Sequence, residues 1–186
     1  MLKTRKRLLC DVDGVLADFA SAATAVAVRV LGMPFPANAQ DEWDMFRHLQ
    51  PEDRARVYEA LHEPGFCRGL LPLPGAVEGM REFRGVADVY FVTSPMQGMT
   101  WTRERELWLA EHFGASTREI IHTSAKHVCV GDALLDDKVQ NVVSWQRYHP
   151  EGVGIVWDAQ YNRRAAVLHR ARSWSDVTSI LGGEPT

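Results

Sequence analysis

Short apolar runs alternating with helix-length segments predict a parallel α/β sheet flanked by helices. Two observations carry this expectation. Arg7–Val12, Asp88–Val92, His127–Val130 and Gly154–Trp157 are brief and apolar, and polar residues close or follow each of them. Residues 17–73, by contrast, hold helices and breaks and no convincing strand, which predicts a small helical cap inserted after the first strand. The division that follows is an α/β core formed by 1–16 and 74–186 and a cap formed by 17–73.

The elements follow in order. Arg7–Val12 (RLLCDV) ends in acids and a glycine, as a buried strand does when it feeds a loop. Ala17–Leu31 is alanine-rich and proline-free, with Gly32 as a C-terminal stop. Met33–Asn38 is a proline-containing break. Pro51 fits the first position of a helix running to Glu63, and Val57, Ala60 and Leu61 share one face of it. Leu71-Pro-Leu-Pro-Gly75 forms a rigid linker into a helix near Ala76–Arg84. Asp88–Val92 is a strand leading into Thr93-Ser94-Pro95. Thr102–Phe113 is an amphipathic helix stopped by Gly114. His127–Val130 (HVCV) is the third strand, ending at Gly131-Asp132, and Gly154–Trp157 the fourth, ending at Asp158. Ser173 caps a last helix through Leu181.

Composition narrows the function classes. Of 186 residues, 46% are apolar and 24% charged, which is a soluble globular balance with enough apolar mass for a sizeable core. A net charge of −3 gives no reason to expect a nucleic-acid partner. Cys10, Cys67 and Cys129 are odd in number and form no CxxC, so a reducing cytoplasm is expected rather than a disulfide framework. The basic start Met1–Arg7 looks like the head of a signal peptide, but Asp11, Asp13 and Asp18 separate it from the apolar stretch Phe19–Leu31, and Arg29 interrupts that stretch. No apolar run reaches the length of a membrane span.

In an open parallel sheet, ligands bind beyond the carboxyl ends of the strands. Asp11-Val-Asp13-Gly14, Thr93-Ser94, Lys126 and the acids Asp132, Asp136 and Asp137 would converge there. Carboxylates beside a lysine suggest a hard divalent cation and an anionic substrate, and oxygen ligands favour Mg²⁺. Asp-x-Asp-Gly alone is also a turn, and a hydroxyl pair before proline is ordinary turn chemistry. A calcium loop is excluded, because its glycine belongs at position 6 and its glutamate at 12, where this chain has Leu16 and Ala22. The seven histidines form no metal-binding spacing.

Asp11-Val-Asp13-Gly14-Val-Leu resembles the first motif of the haloacid dehalogenase (HAD) superfamily, and Thr93-Ser94, Lys126 and the acids at 132–137 match its later motifs in order. DVDGVLADF at 11–19, LPLPGAVEGM at 71–80, VTSP at 92–95, WLAEHFG at 108–114 and Asp136-Asp137 ten residues after Lys126 resemble one branch, the 5'(3')-deoxyribonucleotidases. The likeness spans about 11–162 and implies a HAD-like (Rossmannoid) sheet with a cap. It further implies a Mg²⁺-dependent phosphomonoesterase acting on nucleoside monophosphates through an aspartyl-phosphate. Asp11 would be the nucleophile and Asp13 the general acid and base. The Asp11 carboxylate, the Asp13 carbonyl and Asp136 would hold the metal, with the roles of Asp132 and Asp137 open. Thr93, Ser94 and Lys126 would bind the phosphoryl oxygens. Arg105 stands where the branch carries a lysine-type cation, which keeps the charge and changes its geometry. Phe19, Trp43 and Phe66, with Phe46 as a further cap aromatic, would cover the base or else form cap core.

Three readings stay open on the residues alone: a nucleotidase, a HAD phosphatase for another phosphate ester or a nucleic-acid 3'-phosphate end, and a non-catalytic binding module. A homodimer is compatible with each. Retention of both Asp11 and Asp13 favours an enzyme, since binding phosphate needs no second acid there.

Overall fold

The computed structural model describes residues 5–35 and 41–182. The basic start at 1–4 and residues 36–38 of the proline-containing break lie outside the described residues. Six strands form one parallel sheet in the order β3-β2-β1-β4-β5-β6. They are β1 (Lys6–Cys10), β2 (Ala87–Thr93), β3 (Ile120–His122), β4 (Ala133–Asp136), β5 (Val153–Trp157) and β6 (Arg170–Ala171). The helices are α1 (Phe19–Leu31), α2 (Pro51–Leu61), α3 (Ala76–Phe83), α4 (Trp101–Phe113), α5 (Val139–Tyr148) and α6 (Trp174–Gly182).

The central strands are apolar because helices cover both faces of the sheet. Leu8, Cys10, Phe91, Leu135 and Ile155 fall in one buried cluster with residues of α3, α4 and α6. Leu9, Val92 and Leu134 fall in another, with Trp145 of α5. The chain leaves this core after β1 and returns beside its exit. The Asp18 amide donates to the Leu71 carbonyl at 2.9 Å, and the Leu73 amide to the Leu16 carbonyl at 2.7 Å. The excursion carries its own small core: Ala23, Val26 and Ala27 of α1 and Val57, Ala60 and Leu61 of α2 close around Met45 and Phe46. Asp18 caps α1 by accepting from the Ser21 amide, and Gly32 ends it in the left-handed region at φ 67°.

The third predicted strand is displaced. His127–Val130 is not a strand: Lys126–Val128 forms a 3-10 turn, and Val128 and Val130 are exposed. The strand is the next apolar run, Ala133-Leu-Leu-Asp136, every residue of which is buried. Two four-residue apolar runs six positions apart carry no period that separates them. The sheet selects the one that can be covered on both faces. β3 and β6, three and two residues long, are too short to show a pattern and were missed.

Candidate active site

The shift of β4 reassigns its flanking acids. Asp132 now precedes the strand and lies at the amino-terminal edge of the sheet, where its carboxylate accepts from the Arg7 amide at 2.7 Å. It is removed from the acid cluster expected at the strand tips. Asp136 ends β4, and Asp137 follows it, so both join Asp11 beyond β1. The Asp11 amide donates to the Leu135 carbonyl at 2.9 Å, which continues the β1–β4 ladder and fixes Asp11 at the tip.

Asp11, Asp136 and Asp137 each offer a carboxylate oxygen within 4.8 Å of the others. Lys126, delivered by the 3-10 turn, places Nζ 2.6 Å from Asp11 Oδ1 and 2.8 Å from Asp136 Oδ2. Asp136 also accepts from the Lys138 amide at 2.8 Å and from Asn141 Nδ2 at 2.9 Å. Asp137 accepts from the Tyr161 hydroxyl, and Asn162 Nδ2 donates to its carbonyl at 2.8 Å.

Burial raises the Asp11 carboxyl well above the usual range, and Asp136 adds repulsion that Lys126 partly offsets. Asp137 is pushed up to about 7, by burial first and the Asp136 charge second. Burial alone would lower Lys126, but the Asp11 and Asp136 charges outweigh it and raise its ammonium above the ordinary lysine value. Three buried carboxylates against one ammonium leave negative charge to be balanced. An oxygen-only donor set of this size fits a hard metal cation.

Thr93, at the tip of β2, is fully buried, and its hydroxyl has no partner among the described residues. Ser94 is exposed, and its Oγ donates to the Thr123 carbonyl at 3.4 Å. Asp13 lies on the turn after Val12, and Arg105 Nη2 stands 2.5 Å from its Oδ1. Arg105 is thus brought into the constellation, through Asp13.

The aromatic residues divide. Phe19 and Phe66 meet edge to face at 5.9 Å, and Phe66 stacks on Trp101 of α4 at 6.1 Å. Phe46 is buried in the small cluster of α1 and α2, between Phe35 and Tyr58. Trp43 is largely exposed, with Lys138 Nζ 3.3 Å from its ring centre. Since Lys138 directly follows Asp137, this contact sets Trp43 on the rim of the acid cluster.

Sequence reasoning missed Tyr161 and Asn162, which sit in a 3-10 turn after β5 and carry no motif. It also left Asp137 open, although the pair Asp136-Asp137 was the available signal. A hollow of about 430 Å³ lined by Lys6, Asp132, Tyr148 and Val153 lies under the opposite edge of the sheet, away from these groups.

A six-stranded parallel sheet, a helical stretch after the first strand and two acids separated by one residue at that strand's tip define a HAD-type hydrolase. A Bacillus subtilis protein assigned as a HAD hydrolase and solved bound to magnesium superposes with a TM-score of 0.58 at 16% identity, over 96% of this chain and 99% of that one. The family described as 5' nucleotidase, deoxy (pyrimidine), cytosolic type C protein matches residues 5–182, and the chain belongs to it. A Bordetella pertussis relative assigned as a 5'(3')-deoxyribonucleotidase is 35% identical over 95% of this chain and 96% of its own. The human cytosolic-type 5'(3')-deoxyribonucleotidase is 32% identical over 91% and 90%. The chain is therefore a phosphoric monoester hydrolase, a phosphatase of nucleotides.

Proposed function

We propose that the chain dephosphorylates (deoxy)ribonucleoside monophosphates through an aspartyl-phosphate on Asp11, with Mg²⁺ as its metal. The observation that supports it best is the buried Asp11 carboxylate at the tip of β1, shared between Lys126 and the acids of β4. In this reading an Asp11 oxygen bonds to phosphorus while the phosphorus–ester bond breaks. Asp13 gives its proton to the departing ribose oxygen. Asp13 then takes a proton from the water that attacks the aspartyl-phosphate, which releases inorganic phosphate and restores Asp11.

The Asp11 carboxylate, the Asp13 carbonyl and Asp136, with Asp137 beside them, would hold Mg²⁺, which would shield the like charges of nucleophile and phosphate. Thr93, Ser94, Lys126 and Arg105 take the phosphoryl oxygens. The unpartnered Thr93 hydroxyl supports this, since a buried hydroxyl without a partner is costly unless a ligand satisfies it. Phe19, Trp43 and Phe66 receive the base. Residues 17–73 act as a cap over a core of 1–16 and 74–186. The protein works in the cytoplasm, a reading supported by three buried free cysteines and the cytosolic human relative.

The test is Asp11→Asn assayed on dUMP and dTMP. Hydrolysis should be abolished while circular dichroism stays unchanged. Substantial turnover by this variant would refute the mechanism.

A further inference from the structure

Arg105 is fully buried on α4, yet only part of its guanidinium is engaged. Nη2 donates to Asp13 Oδ1 at 2.5 Å, whereas Nε and Nη1 have no partner among the described residues. Burying a cation with two of its three nitrogens unpartnered costs stability that a single ion pair only partly offsets. That placement is tightly held. The guanidinium carbon lies 5.3 Å from the Trp101 ring centre and 5.4 Å from that of Trp108. The two indoles stand four residues before and three after Arg105, so all three share one face of α4. Each indole is itself anchored: Trp108 Nε1 donates to the Leu70 carbonyl at 2.7 Å, and Trp101 stacks on Phe66. Aromatic faces grip a flat guanidinium better than a compact ammonium.

Asp13 needs such a hold. It stands on a turn, is part-exposed, and among the described residues its carboxylate has no other hydrogen-bond partner than Arg105. The geometry points to Arg105 as a positioning residue for Asp13, a duty beyond any contact with phosphate. With Oδ1 held by Nη2, Oδ2 is the oxygen left to carry the proton. The inference rests on the proposed reaction. In its first half the Asp11–phosphorus bond forms, the ester bond breaks, and the Asp13 proton goes to the leaving ribose oxygen. An Asp13 free to swing would make that transfer rarely.

The ratio of kcat/KM for dUMP to kcat/KM for p-nitrophenyl phosphate tests this, since kcat/KM covers the steps up to departure of the leaving group. The ribose alkoxide needs a proton to leave and p-nitrophenolate does not, while both esters present the same phosphate. In Arg105→Met, activity on dUMP should fall on the order of tenfold or more beyond the fall on p-nitrophenyl phosphate. Arg105→Lys should recover part of that gap. Equal losses on both esters would overturn the positioning role, because a phosphate contact or a purely structural part affects both alike. If Arg105→Met does not fold, Arg105→Lys against wild type decides, with dUMP expected to suffer more. A wild-type protein that hydrolyses neither ester sinks the proposed function itself, an outcome distinct from equal losses.

Discussion

Gly14 stands at the turn that carries the chain from Asp13 towards α1, with φ at +79°. A Cβ there would strain the backbone by about 1–2 kcal/mol. It would also run into Asp137 Oδ2, close to the Tyr161 hydroxyl. Gly14→Ala should therefore cut kcat on dUMP by roughly tenfold or more while lowering the melting temperature only modestly, since the lost geometry is that of a few tenths of an ångström to an ångström at the acids. Steady-state kinetics beside a thermal melt would show the split, and an unchanged kcat would count against Asp137 belonging to the site. Asp11, Asp13, Thr93, Lys126 and Asp136 were legible because chemically demanding residues stood at the ends of apolar runs. Tyr161 and Asn162 were not, because a tyrosine or asparagine in a loop is ordinary until the fold sets it against a carboxylate.

At the scale of elements, α5 shows how packing and site are joined. Trp145 is fully buried against the β1-β2-β4 face, and its Nε1 donates to the Cys129 carbonyl at 2.9 Å. Lys138, at the N-cap of the same helix, and Asn141, in its first turn, hold Asp136 through the Lys138 amide and the Asn141 side chain. Trp145→Ala should cost about 3–5 kcal/mol, read from urea unfolding. Because α5 and β4 are joined through Asp136, any protein that remains folded should also bind its metal more weakly. The 3-10 turn at Lys126–Val128 follows a similar logic. It brings a lysine inward to two carboxylates and leaves Val128 in solvent, which is why an apolar run there was not a strand.

At the scale of the whole molecule, the cluster of acids ties stability to pH and metal. In metal-free protein, Asp137 titrates near 7 rather than its ordinary 3.8, and Asp11 is raised with it. The folded chain then binds protons more tightly than the unfolded chain between these values. The stability this contributes is complete below about 3.8 and is lost as pH rises through about 7. Glu104 and Glu119, lowered from 4.5, act in the opposite direction only below that value, and the single imidazole of His122, lowered from 6.5 by burial, opposes the two raised carboxylates in the lower part of the range without outweighing them. Thermal melts in chelator should thus fall from pH 5 to pH 8. Saturating Mg²⁺ should bind the ionised carboxylates and raise the midpoint most at the upper end. Asp137→Asn should flatten the metal-free profile. A profile that is already flat in wild type, with no response to Mg²⁺, would speak against a cation site here.

Sequence alone determined the α/β class, the helical stretch that follows the first strand and the identity of most acids and hydroxyls at the strand tips. Those features are written in local pattern: apolar runs, helix stops and motif spacing act over a few residues. Tertiary structure decided which of two adjacent apolar runs entered the sheet, and with it the placement of Asp132 at one edge and Asp136 and Asp137 at the other. It also decided that Arg105 lies between two indoles and against Asp13. Strand choice depends on cover from both faces, and a buried charge depends on what surrounds it, and neither is a property of neighbouring residues in the chain.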